Sequence, residues 1–425
     1  MSETAWRNRT LGEVADLCLG KMLDQNKNRG VPTPYLANVN VRWGEFVLDD
    51  MRVMRFEEHE RDRYGLKYGD IVMCEGGEPG RCAIWKEQVP GMMIQKALHR
   101  IRPKAGLDHR FLYYSFRNIG LLRGFDQYFT GATIKHLPGE KLAKVEVPIP
   151  PLPIQRRIAG ILSAYDDLIE NNQRRIKILE EMARRLYREW FVHFRFPGHE
   201  GCTFVESPLG EIPEGWEVTR LGDVTSKIGS GATPKGGKGA YKSEGIHLIR
   251  SLNIYDYSFE FVNLAFIDEI QAAGLDNVEV KAEDVLLNIT GASVARCAMV
   301  PSYLLPARVN QHVAIVRADK SKASPFYLLD AINSDFHKQQ LLAFAQGGAT
   351  REALTKDTII VFQIVLPPAA LMNRYGEVAG DIHLQREVLL RQVQNLRRTR
   401  DLLLPRLLSG QIDVEALPEP ALTEP

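Results

Sequence analysis

The chain repeats itself. Residues 130–137 read TGATIKHL and residues 347–354 read GGATREAL, and the shared Gly-Ala-Thr begins at Gly131 and again at Gly348, 217 residues on. The Pro-Pro pairs that follow, Pro150-Pro151 and Pro367-Pro368, keep the same offset. Upstream the offset drifts, as loops of unequal length require. It is 215 between RCAIW at Arg81 and RCAMV at Arg296, 214 between YGDIV at 68–72 and AEDVL at 282–286, and 210 between WRNRTLGEV at Trp6 and WEVTRLGDV at Trp216. Landmarks in constant order mark an internal duplication. A period above 200 residues is too long for a solenoid, so the chain must form two related domains rather than an array. Its 425 residues also exceed one ordinary core.

Each Pro-Pro pair is followed by a heptad pattern. Ile158, Leu162, Tyr165, Ile169, Asn172, Ile176, Leu179, Ala183, Leu186 and Trp190 alternate spacings of four and three. That is the 3.5-residue period of a coiled-coil seam. The same offset gives Tyr375, Ala379, Ile382, Arg386, Leu389, Val393, Leu396, Arg400, Leu403 and Leu407, a seam interrupted by two arginines. One such helix alone reads equally as a buried core helix; two at equivalent places favour pairing with each other. Asn172 is a register-fixing polar residue in this reading. Arg386 and Arg400 are expected at the seam's edge or against acids such as Glu170 or Glu180. The first helix should end before Pro197-Gly198, and Pro405 should kink or end the second, with Gly410 closing the segment. The seam from Ile158 to Trp190 would span roughly 48 Å.

Ahead of each helix the pattern is mixed. Short β-branched runs such as GDIVMCEGG, RCAIW, VLLNIT, HVAIVR and VEVPIP predict strands. HRFLYYSFRNIGLLRGF and SPFYLLDAINSDFHKQQLLAFA predict one main helix per domain, the latter opening on Ser324-Pro325. The expected fold class is α+β: two duplicated mixed domains separated by two long antiparallel coiled-coil helices. The expected divisions are a first domain at 1–152, a first spacer helix at 153–195, a linker at 196–212, a second domain at 213–367, a second spacer helix at 368–410 and a flexible tail at 411–425. The linker FPGHEGCTFVESPLGEI is rich in Pro, Gly and polar residues.

Composition excludes several classes. The net charge of +1 advertises no global affinity for nucleic acid, although a local basic face remains compatible with it. The five cysteines form no C-x-x-C pair, which predicts reduced thiols in a cytoplasmic protein. No apolar stretch approaches a membrane span. Catalytic signatures are missing. In KIGSGATPKGGKGA the Gly231–Gly236 spacing is followed by Gly237 rather than a phosphate-loop lysine. The Pro-Pro pairs lack the Asn or Asp and the aromatic residue that an amino-methyltransferase places around them. No H-E-x-x-H, G-x-S-x-G or clustered nuclease acids occur. The expectation is a chain with no cofactor, no metal and no catalytic residues.

What both domains carry is loops rich in basic and amide groups. The first offers Lys21, Lys27, Arg29, Asn38, Asn40 and Arg42, with Arg81, Lys96, Thr133 and Lys135 further on. The second offers Thr233, Lys235, Lys238, Tyr241, Arg250 and Asn253, with Arg296, His312, Thr350 and Arg351 further on. Lys and Arg neutralise phosphates, while Arg, Asn and Gln read base edges. Any one of these residues also reads as an ordinary solvated loop; their presence in both copies raises the DNA-binding reading.

The duplication, GATIKHLPGEKLAKVEVPIPPLPIQRRIAGIL with its copy GATREALTKDTIIVFQIVLPPAALMNRYGEVAG, and IPEGWEVTRLGDV at 212–224 resemble the specificity subunits of type I restriction-modification enzymes. DIVMCEGGEPGRCAIW with IQKALHRIRP is similar to one of that family's target-recognition domain types. Met372-Asn373-Arg374 and Ile154-Gln155-Arg156 stand where the family commonly shows a Glu-Gln pair. The resemblance implies a non-catalytic subunit that reads a split double-stranded DNA target, one half per domain. It implies paired helices that set the spacing and dock two copies of a methylation subunit, and a complex that recruits a restriction and translocase subunit. Two other readings stay open: a self-contained DNA methyltransferase with a recognition domain, and a coiled-coil scaffold that does not bind DNA.

Overall fold

The computed structural model describes residues 6–22, 24, 28–49, 51–261, 263–346 and 353–417, with the backbone alone at Lys238. By its contacts the chain divides into two units, Met1–Glu170 with Val393–Pro425, and Asn171–Gln392. The boundary passes through both long helices, Leu152–Tyr187 and Ala369–Leu408, so each unit holds one domain and a part of each helix.

The first domain is built on a four-stranded antiparallel sheet in the order Ala15–Leu19, Leu98–Pro103, Ile71–Cys74, Cys82–Ile84. The second repeats it as Thr225–Ser230, Val313–Ala318, Val285–Asn288, Cys297–Met299. Ile71–Cys74 and Val285–Asn288 are buried at every position, as their apolar runs require, with Asn288 the one polar residue among them. A second sheet sets Val31–Leu36 between Arg52–Phe56 and Met93–Ile94, the latter pairing parallel. Ile246–Ile249 sits equivalently between Ala265–Ile267 and Ala307–Val309. In both copies a strand near the domain's start pairs antiparallel with the strand before the Pro-Pro pair, Arg7–Thr10 with Glu146–Ile149 and Glu217–Arg220 with Gln363–Leu366.

The same polar joints recur as well. Arg102 makes two bonds of 2.7 Å to the Asp70 carboxylate, and Arg317 makes two of 2.7 Å to Asp284. Each Asp also accepts the N–H three residues before it, from Lys67 and Lys281, both at 2.7 Å. Asp70 and Asp284 are buried, so the bidentate guanidinium is what makes their burial tolerable.

The heptad pattern forms two long helices, and all twenty seam positions are buried or half-buried. Within the second unit Asn172 Nδ2 donates to Gln392 Oε1 at 3.2 Å and Arg386 Nε donates to Glu180 at 2.8 Å. The rising number on one helix meets the falling number on the other, so the pair is antiparallel. Within the first unit Arg400 pairs with Asp166 and, at 2.9 Å, with Asp401. Both seam arginines therefore find acids, Glu180 as expected and Asp166 in place of Glu170, which pairs with Lys86 at 3.2 Å.

Each domain's helix grips the spacer. In the first unit the Tyr114 hydroxyl donates to Asp166 at 2.6 Å. In the second the partners are exchanged: Asp330 on the domain accepts from Tyr375 on the spacer at 2.6 Å. An aromatic cluster around Phe191, with ring centroids 4.8 Å from Tyr375 and 4.9 Å from Tyr327, fills the base of the second domain.

Four expectations are corrected. The helix over SPFYLLDAINSDFHKQQLLAFA is two helices, Pro325–Asn333 and Asp335–Gln346. Ser334 between them is extended, and its hydroxyl bonds the Ala331 carbonyl at 2.7 Å, competing with the helical ladder. Pro405 does not end the second spacer; the helix continues to Leu408, because Leu404, Leu407 and Leu408 are buried and hold the last turn. The segment 196–212 is more than a linker: Phe204–Ser207 and Gly210–Pro213 form a hairpin. The first domain's helix stops at Leu121, short of Gly124, where Arg123 turns left-handed at φ 56°.

Candidate nucleic-acid interface

One end of each four-stranded sheet collects most of the loops singled out above. In the first domain Gly20 N–H donates to Leu98 O (2.9 Å), Lys96 N–H to Lys21 O (2.9 Å), Glu75 N–H to Ala97 O (2.9 Å) and Leu137 N–H to Glu75 O (2.8 Å). In the second Gly231 N–H donates to Asn310 O (3.1 Å), Ile289 N–H to His312 O (3.0 Å) and Leu354 N–H to Ile289 O (2.8 Å). The segment after each Gly-Ala-Thr is thus stitched to this end before the chain enters its spacer helix. Close approach explains two glycines. A Cβ at Gly20 would lie 2.4 Å from the Gln95 carbonyl oxygen, and one at Gly231 would lie 1.7 Å from that of Val309.

The candidates divide by what their side chains already do. Lys21 is 3% exposed, pairs with Glu60, bonds the Arg55 carbonyl at 3.0 Å and sits over the Phe56 ring. Its charge is taken up inside the fold. Asn40 and Asn253 are buried twins. Asn40 Oδ1 accepts from Ala37 N–H (2.9 Å) and its Nδ2 donates to Val47 O (3.0 Å); Asn253 does the same with Arg250 N–H (3.1 Å) and Glu260 O (2.9 Å). These three are corrected from DNA contacts to braces of the loops, since their polar groups are buried away from solvent and bonded within the fold. Arg81 is largely buried, pairing with Glu78 and donating to the Asn38 carbonyl at 3.0 Å, so it shapes the loop that carries half-buried Asn38. In the second domain the equivalent carbonyl, that of Ser251, accepts from Asn288 Nδ2 at 2.8 Å.

The remaining candidates within the described residues are exposed or half-buried. Arg29, Arg42, Thr133, Lys135 and Lys235 are exposed, and Lys96 is half-buried. Arg42 is steadied by the Val39 and Val41 carbonyls at 2.9 and 3.0 Å. Lys135 lies over the Phe129 ring at 5.5 Å. In the second domain two guanidinium groups lie over tyrosines, Arg296 at 4.5 Å from the Tyr255 ring and Arg250 at 5.2 Å from Tyr241. Thr233 bonds Gln311, Gln311 reaches His312 at 3.2 Å, and His312 reaches Thr290 at 2.6 Å. Lys27, Thr350, Arg351 and the side chain of Lys238 lie outside the described residues. Sequence reasoning passed over Gln311, Thr290 and Tyr255. The repeat offset was the available signal, because it aligns Gln311 with Lys96 and Thr290 with Gly76.

Burial sets the titration of the groups beneath. It pushes the Cys74 thiol up and the His99 imidazole down, the latter against a 2.8 Å contact to the Leu137 carbonyl. Both stay neutral at ordinary pH and serve packing. The five cysteines are all unpaired. Among the described residues the one grouping with metal-ligand geometry is Glu57, His59 and Glu60, and Glu60 is occupied by Lys21.

Residues 3–181 match the family model described as Type I restriction modification DNA specificity domain. This part of the chain is similar to that family. The relatives extend the specificity-domain likeness over most of the molecule. The type I restriction enzyme MjaIX specificity subunit of Methanocaldococcus jannaschii is 27% identical over 354 residues, covering 82% of this chain and 79% of the relative. The type I restriction enzyme HindI specificity subunit of Haemophilus influenzae is 22% identical, covering 66% and 72%. The S subunit of a type I restriction-modification system from M. genitalium shares the fold, with a TM-score of 0.64, 15% identity and coverage of 96% and 97%. These likenesses support a specificity-subunit function and favour neither the methyltransferase nor the scaffold reading. No described helix is long and apolar enough to cross a membrane.

Proposed function

We propose that this chain is the DNA-reading subunit of a type I restriction-modification complex and is itself without catalytic activity. Residues 1–152 and 213–367 each read one half of a split double-stranded target. The spacer helices at 153–195 and 368–410 set the gap between the halves. They also dock methylation subunits, two copies in the complete assembly, and the complex accepts a restriction and translocase subunit. The observation that carries this reading is the duplicated loop end: Lys96 and Lys135 in the first copy and Lys235 and Gln311 in the second stand on loops that meet at one end of the same sheet, stitched to the chain just before it enters a spacer. Exposed Lys and Arg supply the salt-dependent hold on phosphates, and the stacked arginines stay poised for base edges. The test is methylome sequencing of cells expressing the chain with its methylation subunit, beside a methyl-transfer assay on the purified chain alone. A split target in the first and no transfer in the second are expected. Methyl transfer by the isolated chain would refute the proposal.

A further inference from the structure

The strands Leu98–Pro103 and Val313–Ala318 are entered through the same tight turn. Leu98 N–H donates to Gln95 O at 2.9 Å, and Val313 N–H to Asn310 O at 3.2 Å. In both, the side-chain oxygen of the first turn residue accepts the N–H two residues on, Gln95 from Ala97 at 3.2 Å and Asn310 from His312 at 3.1 Å. The strand registers agree, since Cys74 pairs with Leu98 and Asn288 with Val313. Lys96 and Gln311 therefore occupy one position: the second residue of a turn at the end of the sheet where the exposed basic and amide groups gather. A turn tip held by two hydrogen bonds on a central strand is a rigid mount for a side chain.

Gln311 is further prepared. Its Oε1 accepts from the Thr233 hydroxyl. Its amide nitrogen donates to His312 Nε2 at 3.2 Å, which leaves the ring proton on Nδ1 to bond Thr290 at 2.6 Å. These neighbours orient the amide and use one of its two acceptor sites and one of its two donors. One acceptor and one donor remain on an exposed side chain, the complement of the adenine N6 and N7 edge. Lys96 offers donors only, which match guanine O6 and N7.

We propose that position 96/311 is a base-reading position in each domain, with Gln311 reading adenine in one half-site and Lys96 reading guanine in the other. This inference rests on the DNA-reading function above. The test exchanges the two side chains in the full chain, expressed with its methylation subunit, and sequences the methylated sites. Gln311→Lys should change one adenine of a single half-site towards guanine, and Lys96→Gln should do the reverse in the other half-site, with the gap unchanged. Competition binding by the purified complex should show a preference change of about 10- to 100-fold at that base pair. Should Gln311→Lys abolish modification, Gln311→Ala carries the test in the same binding assay: tolerance of any base there supports the proposal, and retained adenine preference overturns it. A parent chain with a split target and variants with unchanged targets would overturn this inference alone. A parent with no split target would overturn the function on which it rests.

Discussion

Removing one hydroxyl should loosen the second domain from its spacer. Asp330 is fully buried, and three groups converge on its carboxylate: the Tyr375 hydroxyl at 2.6 Å, His383 Nε2 at 3.2 Å, and Tyr257. His383 lies stacked between the Tyr257 and Phe326 rings, 6.1 and 5.8 Å away, and cannot swing to compensate. Burial and the adjacent Asp330 hold the Tyr375 hydroxyl well above the usual phenol range, so it remains a donor at any working pH. Tyr375→Phe keeps the ring in its aromatic cluster and deletes only the donor. A hydrogen bond to a buried carboxylate contributes about 1.5–3 kcal/mol. For a unit of this size, that corresponds to a fall in Tm of about 3–12 °C. The assay is thermal unfolding of the parent, Tyr375→Phe, Asp330→Asn and the double variant. The two changes share one bond, so the double variant should lose less than the sum of the singles by about 1 kcal/mol or more. A Tm for Tyr375→Phe within 1 °C of the parent, or strictly additive losses, would refute the reasoning.

Three further outcomes are expected. His337 is buried at 4% exposure, and burial lowers its pKa from 6.5 to about 4 despite a bond to the Ala331 carbonyl. The unfolded chain therefore binds a proton that the folded chain refuses between those values. Stability should fall as pH drops from 6.5, by about 2 kcal/mol at pH 5, and urea titrations of His337→Leu should show that part of the slope removed. Lys235→Ala should weaken DNA binding and reduce the slope of log affinity against log salt by about 0.9; an unchanged slope would place the glycine-rich loop away from DNA. Gly410 lies 3.7 Å from the Trp6 ring in terms of an added Cβ, and Ile412 and Val414 join the first unit's core. A circular permutant joining the chain after Val414 to Trp6 should fold with a melting curve like the parent's, while failure to fold would contradict that packing.

The fold was legible where the signal is local. The seam reads from spacing alone, since a 3.5-residue period on a helix can only make one stripe, and strands such as Ile71–Cys74 read from short apolar runs. The pairing of the helices followed from the duplication, and the Asn172–Gln392 and Glu180–Arg386 contacts give its antiparallel sense. What stayed hidden depends on distant neighbours. Lys21, Asn40 and Asn253 look like DNA contacts in composition, yet each is held by partners three to thirty-nine residues away. Gln311 was passed over because its exposure follows from strand pairing with Asn288 and from a turn that only the folded sheet defines. The break at Ser334 and the helix through Pro405 were decided by a side-chain hydrogen bond and by packing, against the local propensities.

The central claim is that two half-sites are read separately and that the helices set their spacing. The most direct test inserts seven residues into each spacer helix at the Asn172–Gln392 contact, one heptad per helix, so that the seam face and the antiparallel register are kept. The insertion adds about 10 Å of helix, or about three base-pair steps. Methylomes of the parent and the variant, each expressed with the methylation subunit, are then compared. The expected result is two unchanged half-sites with the gap lengthened by about three base pairs. A modifying variant with the parent's gap, or with an altered half-site, would contradict the account.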